Sequence, residues 1–394
     1  MGAAITGRSS VVSDGIFLTG ATGFVGMEVL ARYLERSDRP VTCLVRADDD
    51  AAAGERLDGI LQSLFGHGAE QFGGRVRAVA GELTEPGLGL EDRMRDELAS
   101  EVTTIIHSAA SVSFSMELPE ARGVNVAGTK RMLEFARCAQ ERGGLRRYAQ
   151  VSTAYVAGTH DGSFFESDLQ VGQEFRNAYE QSKFESERLI QGSELPWLIL
   201  RPSIIVGDRH SGWTAAFNVL YWPLRAFSAG LFKTVPANPA SPLDVVSIDY
   251  VADAIHELCE DEHAARETFH LTASAEASSM GELAALASDY FKRPLPRVVA
   301  PEDLAALEGE FSDAALESSR VYFPYFAIGT VFDNAKTKAR LLPAGIHASP
   351  LCDYLPRLLD YATATRWGKR PLGRAEAIAG GLGPLPIGRA GAAA

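Results

Sequence analysis

The chain has 394 residues, 46% hydrophobic and 23% charged, a balance that suits one large α/β domain with a smaller companion, or two domains. Its 38 Lys and Arg against 51 Asp and Glu leave a formal net charge of −13. That argues against a general nucleic-acid binder, which needs a cationic face for phosphates, but permits a local basic pocket for a phosphorylated cofactor.

Residues 1–13 read as a flexible polar leader. Gly2 sits in a short N-myristoylation pattern that is often matched by chance. No charged segment followed by an apolar core opens the chain, so no secretory signal is expected and the location expected is cytoplasmic. Strand-length apolar runs follow at 16–19, 41–46, 76–80, 104–106, 148–152 and 197–200. Helix-length amphipathic stretches at 25–35, 125–142 and 179–191 alternate with them. After Gly207 the pattern breaks. Residues 212–232 are rich in aromatics and Leu, with Arg225 their one full charge. Pro223 and Arg225 argue against a membrane span; the segment either shapes an acyl channel or packs in the core. A strand, turn and helix resume at 245–258, and 269–271 reads as another strand.

Alternating βα units predict an α/β fold with a doubly wound parallel (Rossmann) sheet, over 14–206 plus 243–272. A smaller, mainly helical C-terminal domain for substrate is expected from 207–242 plus 273–379, with a disordered Gly/Ala/Pro-rich tail at 380–394. Cys43, Cys138, Cys259 and Cys352 are scattered and no HExxH occurs, so reduced thiols and no metal are expected.

The string TGATGFVG at 19–26 follows the first strand and opens the first helix. Gly20 permits a tight turn, Gly23 lets the backbone approach a pyrophosphate, and Gly26 lets helix and strand pack closely. Thr22, Phe24 and Val25 then present the helix N-terminus to the anion. At the end of the second strand an acid would select a ribose hydroxyl, whereas a 2′-phosphate needs arginine. Arg46 stands there, with Arg56 ten residues on, which favours NADPH (NADP). Asp48, Asp49 and Asp50 are the counter-candidates, but a run beyond the strand end suits a solvated loop better.

Tyr179 and Lys183 are four apart, one turn along a predicted helix, so the ammonium can sit near the phenol and lower its pKa. Upstream, Ser152 and Thr153 end a predicted strand where a hydroxyl could face the same carbonyl. These strings, with HSAA (107–110) and RPSIIVG (201–207), resemble the extended short-chain dehydrogenase/reductase superfamily. Within it, AGELTEPGLGL (80–90) and HSAASVSF (107–114) are most similar to fatty acyl-CoA reductases and carrier-protein thioester reductase domains.

The resemblance implies a catalytic set of Thr153, Tyr179 and Lys183, with Asn125 near the lysine. It implies that Ser108, Ala109 and Ala110 line the cofactor, and that Pro202, Ser203, Ile204 and Ile205 lie against the nicotinamide. Glu82, followed by Leu83, stands where the family usually has Asp beside the adenine. Ser152 is expected to face away from Thr153, because strand side chains alternate. His107 is expected to be structural, and Asp249 a helix cap. The chemistry implied is hydride delivery from NADPH to a thioester carbonyl, with release of an aldehyde and possible further reduction to alcohol. The substrate would be acyl-CoA or a separate acyl-carrier protein; no transmembrane segment is expected, and peripheral membrane contact stays open. The rivals are a ketone or aldehyde reductase, an NAD-dependent sugar-nucleotide epimerase or dehydratase, and a non-catalytic NADP-binding redox sensor.

Overall fold

Six short segments are buried along nearly their whole length, the pattern of strands covered on both faces. They are β1 (Gly15–Thr19), β2 (Val41–Val45), β4 (Val102–His107), β5 (Arg147–Val151), β6 (Trp197–Pro202) and β7 (Glu267–Leu271). A seventh, β3 (Val76–Ala80), alternates buried and exposed residues and closes one edge. In the computed structural model, which describes residues 14–217, 219–231, 233–300 and 322–380, all seven pair in parallel in the order β7-β6-β5-β4-β1-β2-β3. The expected doubly wound sheet is therefore present. The leader and the tail beyond Gly380 lie outside the described residues.

Strand alternation divides the core. Ile16 and Leu18 face one cluster, formed with α1 (Phe24–Arg36), α2 (Asp50–Phe65) and α7 (Ile248–Glu260). Phe17 faces the other, formed with α3 (Asp92–Glu101), α4 (Ala127–Gly143) and Ile190 of α5 (Ala178–Gln191). The strand order reverses between β1 and β4, and ligands of such sheets bind outside the carboxyl ends at that switch.

The expected helix at 125–142 is a composite. A short turn, Leu118–Ala121, leads into a π-turn at Arg122–Val126, and the regular helix begins only at Ala127. The apolar stretch 212–232 contributes α6 (Tyr221–Ser228), only eight residues long. No helix of the described residues is long and apolar enough to cross a membrane. Tyr221, Leu224 and Phe227 pack into a third core with α8 (Met280–Phe291), Phe323–Ala327 and α9 (Leu351–Ala364). Leu224, Phe227, Met280, Leu283 and Phe326 also line an apolar cavity of about 70 Å³, so the stretch both packs a core and borders a void.

Candidate active site

The carboxyl end of β1 turns at Gly20, whose φ of +78° is the left-handed region that favours glycine. A Cβ there would lie 2.7 Å from the Ala109 nitrogen and 2.8 Å from the Ser108 carbonyl carbon, so this turn and the loop after β4 are in backbone contact. One on Gly26 would lie 2.1 Å from the Gly20 oxygen. The Gly23 start of α1 has no side-chain cap, which leaves the N–H groups of its first turn free for an anion. The two strand ends are tied together: Thr19 Oγ1 is 2.7 Å from His107 Nδ1 and accepts from the Ala109 N–H at 3.2 Å. Burial, then the charge of Lys183, pushes the His107 pKa down to about 3, so this histidine is neutral.

At the end of β2, Arg46 is exposed and the Arg56 guanidinium donates to its carbonyl. The aspartates of the run are exposed, as a solvated loop requires, and two of them also make hydrogen bonds. Asp49 caps α2, accepting from the Ala52 N–H at 2.8 Å, and Asp50 accepts from the Ala80 N–H at 2.7 Å. Two of the three carboxylates are thus engaged in holding the loop. Past β3, Leu83 is buried, and Glu82 is half-buried and accepts from the Thr84 N–H at 3.2 Å.

The loop after β4 is pinned by Asn125. Its Oδ1 accepts from the Ser111 N–H at 2.8 Å, and its Nδ2 donates to the Ser111 carbonyl at 3.0 Å and to Ser182 Oγ at 2.9 Å. Asn125 therefore meets Ser182, the residue before Lys183, rather than the lysine itself. Its side chain is already engaged in joining this loop to α5.

Thr153 follows β5; its hydroxyl accepts from the Tyr155 N–H at 3.2 Å and lies near enough to the Tyr179 phenol to favour its ionised form. The Ser152 hydroxyl is buried without a partner among the described residues. The Lys183 ammonium donates to the Val151 carbonyl at 2.8 Å. That corrects the electrostatics expected of the pair. Desolvation pushes Tyr179 up to about 12, against the influence of the Thr153 hydroxyl, and pushes Lys183 down to about 8. The lysine is spent on a carbonyl, and desolvation of the phenol outweighs any help from a cation one turn away.

Beneath α5, Arg201 and Glu187 form a fully buried ion pair at 2.7 Å, joined by His270 Nε2 at 3.1 Å from Arg201. At the end of β6, Pro202 is buried and Ser203 donates to Asp244 at 2.6 Å. Ile204–Val206 turns away to pair with Val245–Ser247. Asp249 is not the helix cap expected: it accepts from the Arg209 N–H at 2.9 Å and pairs with its guanidinium at 2.8 Å.

Several residues at the site had no assigned role in the sequence reading. The Phe114 ring lies 5.8 Å from Tyr179 and stacks on Tyr325 at 5.1 Å and 16°. The Tyr325 phenol donates to Glu180 at 2.6 Å and accepts from Asn177 at 2.7 Å. The Asn177 cap of α5 was legible as Asn three residues before Glu; its partner 148 residues away was not.

The glycine cradle and the open α1 terminus fit a dinucleotide pyrophosphate. A sequence family described as Male sterility protein, an NAD-binding family, matches residues 18–255. A carboxylic acid reductase of Mycobacterium marinum is 28% identical over 287 residues, covering 65% of this chain and 24% of the relative. The chain spans 26% or less of the first curated relatives it matches. Among solved structures, the terminal R domain of the myxalamid PKS-NRPS pathway superposes with a TM-score of 0.79 at 24% identity, covering 92% and 93% of the two chains. A thiolation-reductase di-domain of an archaeal non-ribosomal peptide synthetase gives 0.73 at 22%, covering 90% and 76%.

Proposed function

The chain belongs to the NAD-binding family described as Male sterility protein, and we propose that it is an NADPH-dependent reductase that converts an acyl thioester, on coenzyme A or an acyl carrier protein, to the aldehyde. The observation that carries this reading is the Lys183 ammonium on the Val151 carbonyl at 2.8 Å, one helical turn from Tyr179 and two residues before Thr153, at the carboxyl edge of the sheet that bears the glycine turn. The carboxylic acid reductase and the thiolation-reductase di-domain support the choice of acyl substrate.

In this reading Gly20, Thr22, Gly23, Phe24, Val25 and Gly26 hold the pyrophosphate. Arg46 and Arg56 take the 2′-phosphate, with Asp49 and Asp50 engaged elsewhere. Glu82 and Leu83 border the adenine; Ser108–Ala110 and Pro202–Ile205 border the nicotinamide end, near Lys183. The bound nicotinamide supplies the hydride. Thr153 and Tyr179 receive the carbonyl oxygen between their hydroxyls, and Tyr179, with its pKa pushed up to about 12, is protonated at neutral pH and supplies the proton. The resulting hemithioacetal loses its thiol to give the aldehyde. Residues 14–206 plus 243–272 would form the cofactor unit and 207–242 plus 273–379 the substrate unit.

The test is NADPH oxidation with matched acyl-CoA, acyl-carrier and free aldehyde substrates, with product analysis. Thioester-dependent oxidation yielding aldehyde is expected; turnover of ketones or sugar nucleotides with none of any thioester would sink the reading.

A further inference from the structure

Tyr179 is the second residue of α5, so its direction is set by how that first turn is anchored. The anchor has three parts. Asn177 caps the helix, its Oδ1 accepting from the Glu180 N–H at 3.0 Å. Glu180, fully buried, reaches back to accept from the Arg176 N–H at 2.9 Å. Tyr325, from the turn Phe323–Ala327, then bonds both side chains through one phenol.

The same Tyr325 ring stacks on Phe114, meets Tyr155 edge-on at 5.2 Å, and has the Arg176 guanidinium 5.8 Å from its centroid. Phe114 in turn borders Tyr179, and Tyr155 follows Thr153 by two residues. A residue remote in sequence thus touches both elements that present the two hydroxyls, and the phenol satisfies a carboxylate that has no water to turn to.

We propose that Tyr325 is a positioning residue for Tyr179, fixing the first turn of α5 through Glu180 and Asn177 while its ring sets the wall that holds Phe114 against the reacting phenol. The proposal rests on the assignment of Tyr179 as proton donor. It makes the C-terminal segment part of the active-site geometry rather than only a floor for substrate.

The test is Tyr325→Phe in the full chain, which keeps the ring and removes the hydroxyl. kcat for thioester reduction is expected to fall roughly 10-fold or more with KM within about twofold, since alignment and not substrate contact is lost. Amide hydrogen exchange, read without cofactor, is expected to rise in peptides covering residues 176–184 and to stay unchanged over β1 and α1.

Asn177→Ser keeps a good cap and deletes only the bond to Tyr325. It is expected to lower kcat less, and to add nothing to Tyr325→Phe; it also decides the matter should Tyr325→Phe not fold. Unchanged kcat and unchanged local exchange in the folded variant would overturn the proposal, as would a loss confined to KM. If Tyr179→Phe abolishes turnover while Tyr325→Phe does not, only the positioning role fails. If Tyr179→Phe is active, the assignment beneath it fails.

Discussion

Gly26→Ala offers a perturbation whose size can be worked from the coordinates. The added methyl would sit 2.1 Å from the Gly20 oxygen, 2.6 Å from its carbon and 3.0 Å from the Ala21 nitrogen, all backbone atoms. Ordinary contact begins at 3.4 Å, so the turn and α1 must separate by about 1.3 Å. Overpacking of this kind costs about 1–3 kcal/mol, and the upper end applies because no side chain can swing away. The same displacement moves the free N–H groups off the pyrophosphate. Losing one charge-assisted hydrogen bond is worth about 1.5–3 kcal/mol, or roughly 10- to 100-fold in the NADPH Kd. Gly59→Ala in α2 is the control, with nothing within 4 Å of its added methyl. It is expected to stabilise by about 0.8–1 kcal/mol, as alanine for glycine does inside a helix. Urea denaturation and NADPH fluorescence titration read both effects. A Gly26→Ala protein with wild-type stability and affinity would refute the close-approach argument.

Arg46→Ala is expected to weaken NADPH binding roughly 10- to 100-fold while changing NADH binding less than about twofold, measured by titration with each cofactor. Equal losses for both would remove the case for a 2′-phosphate site. Stability should also depend on pH through Lys183. Its folded pKa, about 8, lies below the unfolded value near 10.4. Between those values the unfolded chain binds more protons, so stability rises with pH across that window. The gain is up to about 3 kcal/mol, and Lys183→Met should flatten it in denaturation curves collected from pH 7 to 10. Opening the buried Arg201–Glu187 pair by Glu187→Ala should cost about 3–5 kcal/mol, because it strands a guanidinium with no solvent access.

Much of the fold was legible because its signals are local. Strands buried on both faces are short apolar runs, and the predicted segments at 16–19, 41–46 and 197–200 differ from β1, β2 and β6 only at their ends. The glycine turn is likewise eight consecutive residues, and Tyr179 with Lys183 is one helical turn. What escaped depends on tertiary contact. The π-turn before α4 places Asn125 against Ser111 and Ser182, a choice no helical periodicity reveals. Lys183 takes the Val151 carbonyl, which shares no sequence neighbourhood with it. Asp249 looked like a cap because it stands in the first turn of α7, yet Arg209, 40 residues earlier, claims it. Tyr325 joins the site across 145 residues, through hydrogen bonds to Glu180 and Asn177 and ring contacts with Phe114 and Tyr155.

The central claim is that the half-buried Tyr179 phenol, with the Thr153 hydroxyl beside it, supplies the proton to a carbonyl oxygen. Tyr179→Phe tests it most directly, with turnover and NADPH affinity measured on the same preparation. The expected result is a loss of kcat of about 10²–10⁴-fold with the NADPH Kd changed by less than about twofold. Turnover at the wild-type rate would contradict it and move the proton donor to another side chain.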